Sequence, residues 1–329
     1  MMAAALNSQP MGAALFAKAR RALDIVLHIG AHRTATTSLQ RLARDHVAGL
    51  AGQGVTFWGP QVTRPNLLPG VQPGRGRSAA MTRRAAGRLR LKCAQAGLGG
   101  TQVLILSDEN MLGTPQGNLT AQALYPAAGE RLARISAALR GQVRRVVLSV
   151  RGQEAYWSSV LAMMVARGHN VPRARVLQAL ADARRGWRDV VTDVACAVPE
   201  AELIILPHES TAGLPEWRLQ VMAGRPLPVS AGRIWAHRAP DLTALRRHLA
   251  ARGQNPAILP MGEGRWTPFT AGQSAALRET YADDLHWMTA GADGLAQLKT
   301  WTAPGKTGQT PHSGTKTRGH DHEQQGRMA

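Results

Sequence analysis

IVLHIGAHRTATTS, residues 25–38, decides how this chain is read. Ile25 to Ile29 is a short, mostly β-branched run that stops at Gly30. A loop follows, His32-Arg33-Thr34-Ala35-Thr36-Thr37-Ser38, and then a helix-like run, LQRLARDHVAGL. A strand, a tight turn carrying hydroxyls and a cation, and a helix start together predict an anion cradle. Backbone N–H groups at a helix N-terminus point outward, and the macrodipole favours negative charge there. The expected occupant is a phosphate or a chemically similar group.

The spacing resembles a Walker A loop, G-x-x-x-x-G-K-[ST], and then departs from it. Ala35 stands at the second glycine and Thr36 at the lysine, so the cation of the loop is Arg33, three residues earlier. HIGAHRTATTSLQ, residues 28–40, resembles the 5′-phosphosulfate loop of sulfotransferases, which in bacterial members often reads HIGxxKTGTTSLQ. Arg33 replaces the usual lysine and Ala35 the usual glycine. Arginine keeps the charge on a planar fork, and alanine tolerates fewer backbone conformations than glycine.

The 329 residues are 44% hydrophobic, enough to bury a full α/β core. No apolar run reaches the roughly 18 residues a membrane span needs. Residues 1–22 have neither the basic start nor the apolar centre of a signal peptide and read as a loose tail and helix. Cys93 and Cys196 form neither a metal-type pair nor a disulfide framework, which fits a reducing, cytoplasmic setting. The net charge is +19, and 35 of the 40 basic residues are arginines. Such a charge steers anionic ligands toward the protein. With 4% aromatics and no basic stretch interleaved with them, no specific nucleic-acid partner is expected.

Beyond the first helix, Val55 to Trp58 reads as a strand and residues 59–77 as a Pro/Gly/Arg-rich loop whose Arg64, Arg75 and Arg77 are candidates to meet an anionic acceptor. Helices are expected over 78–96, 124–139, 155–168, 240–252 and 272–290, with 173–198 mainly helical. VLILSDEN (103–110), RRVVLSVRG (144–152) and LIIL (203–206) read as buried strands. Near-continuous apolar strands alternating with helices predict a parallel sheet covered on both faces. From about Trp301 the polar, Gly/Thr-rich tail, 301–329, reads as disordered, and its histidines as no metal site.

Ligands of such sheets gather at the carboxyl ends of the strands. Three candidate strands end in reactive residues: at the 30–38 loop, at Ser107-Asp108-Glu109-Asn110, and at Arg151 with Ser158 and Ser159 in the next helix. The sulfotransferase resemblance spans roughly residues 23–295. It implies one P-loop-type α/β/α domain over about 23–300 and 3′-phosphoadenosine 5′-phosphosulfate as sulfuryl donor, with no metal. It implies that Arg33, Thr34, Ala35, Thr36, Thr37 and Ser38 hold the 5′-phosphosulfate, Arg33 also stabilising the transferring group. An arginine at a strand end and a serine eight residues later, here Arg151 and Ser159, then bind the 3′-phosphate. Glu109 is the candidate general base, with Asp108 and His32 as rivals. Gly264-Arg265-Trp266 reads as a surface loop, and Tyr281, Leu285 and Met288 as a packing face of a helix. The acceptor is an unidentified hydroxyl or amine. A P-loop kinase or NTPase, or an inactive nucleotide- or polyanion-binding protein, remain alternatives.

Overall fold

The sheet has six strands, all parallel, in the order β2-β3-β1-β4-β5-β6. The structure, a computed structural model, describes residues 23–72, 78–230 and 239–301. The predicted tails, 1–22 and 301–329, and the candidates Arg75 and Arg77 lie outside those residues, Trp301 apart.

Each strand reaches the next through helices. β1 (Asp24–His28) leads through α1 (Thr36–Asp45) and α2 (Val47–Gly52) to β2 (Val55–Trp58). A short α3 (Pro60–Val62), a π-turn (Thr63–Leu67) and α4 (Ala79–Leu98) lead to β3 (Val103–Ser107). A 3₁₀ turn (Glu109–Met111), α5 (Pro115–Ala121) and α6 (Ala128–Ala138) precede β4 (Val143–Val150). Then α7 (Gln153–Ala166), α8 (Ala174–Ala181) and α9 (Trp187–Ala197) lead to β5 (Glu202–Pro207). After β5 come α10 (His208–Thr211), α11 (Pro215–Ala223), α12 (Leu242–Ala250), α13 (Ala271–Thr289) and a two-residue β6 (Gln297–Leu298).

Strand side chains alternate between two cores because successive Cβ atoms point to opposite faces. Ile25, Leu27, Leu104, Leu106, Val146, Leu148, Leu203 and Ile205 face one core with α4, α6, α7, α9, α12 and α13. Val26, Val103, Ile105, Val147, Ile204 and Leu206 face the other with α1, α2 and α11. This is the three-layer α/β/α arrangement with a parallel sheet that the sequence predicts. No helix among the described residues is long and apolar enough to cross a membrane.

Several elements differ from expectation. The predicted 59–77 loop starts as helical turns, because Pro60 sits at a first helical position, where its missing N–H costs nothing. The helix expected from Leu124 begins at Ala128, since Tyr125 takes a positive φ of 41°. The helices α5, α10 and α11 and the edge strand β6 were not anticipated.

Candidate functional site

The order of strands places the three predicted clusters side by side. β1 is central, with β3 on one side and β4 on the other. The 30–35 loop, the Ser107–Asn110 turn and Arg151 therefore emerge at three adjacent carboxyl ends.

The loop is built from unusual backbone. Gly30 admits no side chain: a Cβ there would come 2.9 Å from both His28 Nε2 and Thr36 Cγ2. Arg33 and Ala35 both lie in the left-handed region, at φ 68° and 63°. Left-handed residues alternating with others turn successive N–H groups into one concavity, an anion nest. Ala35 is also the N-cap of α1, and no side chain caps that helix. Two arginines fix the nest from behind. Arg151 Nη1 donates to the Arg33 carbonyl at 2.8 Å, and Arg218 Nη1 donates to the Thr34 carbonyl at 2.8 Å. Amide N–H and C=O point in opposite directions across a planar trans peptide. Because Arg218 is fully buried, the Ala35 N–H of the peptide it holds points away from the interior.

Arg33, Arg151 and Ser159 meet. Arg33 Nε donates to Ser159 Oγ at 2.9 Å, across 126 residues of sequence. Arg151 is tied to the same residue through its backbone, and its Nε has no partner among the described residues. Burial lowers the pKa of both arginines, that of Arg151 to about 10, and in each case a second arginine adds to the effect: Arg167 beside Arg33 and Arg265 beside Arg151. Arg265 is exposed, as expected of a surface loop, yet lies near enough for its charge to act on Arg151. Concentrated positive charge at a loop built of outward N–H groups fits a multiply charged anion.

Not every predicted ligand faces the site. Thr34 is buried, and its hydroxyl donates to the Ala31 carbonyl at 2.6 Å, so its side chain stabilises the turn instead. Ser38 is buried in the first turn of α1 and does not line the cavity, whereas Thr36 and Thr37 do.

The cavity, of ≈ 480 Å³, opens between the loop, the Ser107–Asn110 turn and the C-terminal end of α7. Arg33, Thr36 and Thr37 form one wall, and Glu109, Asn110 and Arg64 another. Met163, Met164, Arg167 and His169 close a third side.

The two carboxylates of the turn have separate tasks. Asp108 is fully buried and accepts from Thr63 Oγ1 at 2.8 Å, from Arg64 Nη2 at 2.9 Å and from the Asn110 N–H at 3.0 Å. With these bonds it caps the 3₁₀ turn, so it is a structural anchor and not a free base. Glu109 reaches the cavity. Its Oε1 accepts from Arg64 Nη2 at 2.8 Å, and its Oε2 meets Gln40 Nε2 at 3.4 Å. Arg64 lines the cavity and also orients the Ser107–Asn110 turn by bridging both acids.

His32 is engaged at both nitrogens. Nε2 lies 3.0 Å from Asn110 Oδ1, and Nδ1 lies 2.8 Å from Tyr125 Oη. The amide oxygen can only accept, so Nε2 carries the proton and Nδ1 accepts the phenol O–H in this network. Tyr125 Oη also accepts from the His32 N–H at 2.8 Å, and the two rings stack. Burial lowers the His32 pKa although Glu109 and Asn110 pull it upward. A neutral imidazole with its lone pair turned inward is suited to hold the loop, less so to take a proton in the cavity. His28 is fully buried and bonded through Nδ1 to Ser107 Oγ at 2.7 Å.

Gln40, Asn110, Tyr125 and Arg218 escaped the sequence reading as site residues, whereas Arg64 was named there as a candidate to meet an anionic acceptor. Gln40 sits inside the HIGAHRTATTSLQ resemblance and Asn110 inside the SDEN run, so both carried a signal. Tyr125 and Arg218 carried none: each is brought in by the tertiary fold alone. Tyr281 does more than pack, since its hydroxyl donates to Glu209 Oε2 at 2.8 Å while Glu209 Oε1 accepts the Gly152 N–H.

The chain matches no protein-family model, and no curated protein matches it.

Proposed function

We propose that this protein transfers a sulfuryl group from 3′-phosphoadenosine 5′-phosphosulfate to a hydroxyl or amine held in the cavity beside Glu109. The single observation that carries the reading is the junction of Arg33, Ser159 and Arg151, which stand at the positions where a phosphosulfate loop and a 3′-phosphate site are expected. In this reading the 5′-phosphate sits on the N–H groups of Ala35 and the first turn of α1, with the Thr36 and Thr37 hydroxyls beside it. The 3′-phosphate takes the remaining donors of Arg151 and the Ser159 hydroxyl.

The reaction is a displacement at sulfur. The acceptor oxygen or nitrogen forms a bond to sulfur as the bond from sulfur to the bridging phosphate oxygen breaks. The acceptor proton passes to Glu109, which Arg64 and Gln40 hold at the cavity wall. Negative charge grows on the leaving phosphate oxygen, where Arg33 and the loop N–H groups oppose it. Catalysis then comes mainly from positioning and preorganised electrostatics. His32 keeps the loop in place through Tyr125 and Asn110.

Sulfur-labelled donor incubated with the protein and a panel of sugar, lipid, phenol and peptide acceptors tests this. Label is expected to move to one acceptor class without added metal. Mg²⁺-dependent phosphoryl transfer from ATP in its place would assign the chain to the kinase alternative.

A further inference from the structure

Arg218 of α11 is 1% exposed, among the most deeply buried large side chains of the described residues. Its Nη1 donates to the Thr34 carbonyl at 2.8 Å and its Nη2 to Ser149 Oγ at 2.6 Å. Its Nε has no partner, and no acidic side chain pairs with it among the described residues. Among the described residues no acidic group acts on its pKa, which burial alone lowers to about 10. His28 and His208, both affected by its field, are held neutral by burial and by this same cation. A buried charge without a counter-ion is costly and is ordinarily paired or bound to a ligand.

The direction from which compensation can come is set by the peptide it grips. Arg218 holds the Thr34 carbonyl from below, and the Ala35 N–H of that same peptide points out to the nest. An anion on the nest therefore lies one peptide unit from the guanidinium, in line with a polarised amide.

We propose that Arg218 is the hidden counter-charge of the anion loop: a buried cation compensated when a phosphate or sulfate ester seats on the N–H groups at Ala35 and the first turn of α1. It is a positioning and electrostatic residue that touches no ligand. The inference rests on reading the loop as a phosphosulfate cradle, but not on sulfuryl transfer, so binding alone tests it.

Three full-length variants separate charge from hydrogen bonding. Arg218→Lys keeps the charge, Arg218→Gln keeps a donor without it, and Ser149→Asp supplies an internal counter-ion. Titration calorimetry with 3′,5′-adenosine bisphosphate is expected to show Arg218→Gln and Ser149→Asp binding about tenfold or more weakly than Arg218→Lys. Melting without ligand is expected to place Ser149→Asp at or above the wild type, because the buried charge is then paired. If the Arg218 variants fail to fold, Ser149→Asp carries the test alone, against the wild type. Equal affinity of the Lys and Gln variants, or wild-type affinity in Ser149→Asp, overturns the role of Arg218 while leaving the nucleotide reading intact. A wild type that binds no 5′-phosphorylated nucleotide overturns both.

Discussion

Ala35 occupies a left-handed backbone position that costs an L-residue about 1–2 kcal/mol. A left-handed position of this kind favours glycine, which has no Cβ. Glycine would relieve that strain but lose about 0.4–1 kcal/mol to the freedom of the unfolded chain. Ala35→Gly is therefore expected to leave stability within about 1 kcal/mol of the wild type and to keep nucleotide binding. Ala35→Val, β-branched in the same conformation, is expected to lose both; chemical denaturation and titration calorimetry check the pair. A valine variant with wild-type affinity would show that the nest does not need this geometry. Glu109 lends itself to a cleaner test, since it reaches the cavity without building the fold. Glu109→Gln is expected to lower turnover by about 10²-fold or more while nucleotide affinity stays nearly constant. Single-turnover rates with the labelled donor measure it, and His32→Ala with a larger loss of rate at intact loop structure would move the base to His32.

At the scale of elements, the strands were legible and some of the helices were not. The runs at 25–29, 103–107, 146–150 and 203–206 each hold four apolar residues, and strands buried on both faces leave that signature. β6 has two residues at the sheet edge and leaves no pattern to read. α11 hides its period because Arg218, a charged residue, sits on its buried side. The same fact hid Arg218 as a site residue. Arg151 was read as a phosphate ligand only, yet it also clamps the loop through the Arg33 carbonyl. The expected phenotype changes accordingly. Arg151→Ala should weaken binding of 5′-AMP, through a loosened loop, and weaken 3′,5′-adenosine bisphosphate by about tenfold more, through the lost 3′ contact. Parallel calorimetric titrations of the two ligands read the difference. Equal losses would leave Arg151 as a clamp and nothing else.

Over the whole molecule, the excess of positive charge reaches the interior behind the site. His28 and His208 lie near Arg218 and are held neutral, first by burial and then by neighbouring arginine charge; the His208 pKa falls to about 3. In the unfolded chain both take up protons near pH 6.5. Their depressed folded pKa values mean that stability is fully present above that pH and is lost as the pH falls below it, by about 1.4 kcal/mol per unit for each histidine. Urea midpoints at pH 7.5 and 5.5 should differ by roughly 2–3 kcal/mol in stability on this basis. A fall of only half that size would mean that one of the two charges without unfolding, and a flat profile that both do. Composition made the positive field legible, but not its focus: that arises because three strand ends and α11 converge on one loop.

In the proposed function, this loop and the β4–α7 junction recognise an adenosine nucleotide phosphorylated at both ends. Titration calorimetry of the wild type with 3′,5′-adenosine bisphosphate, 5′-AMP and ATP with Mg²⁺ tests it most directly. Charge-assisted hydrogen bonds to the 3′-phosphate contribute about 1.5–3 kcal/mol, so the bisphosphate should bind on the order of tenfold to a few hundredfold more tightly than 5′-AMP, and ATP weakly. Equal affinity for the bisphosphate and 5′-AMP, or tight Mg²⁺-dependent binding of ATP, would contradict the account.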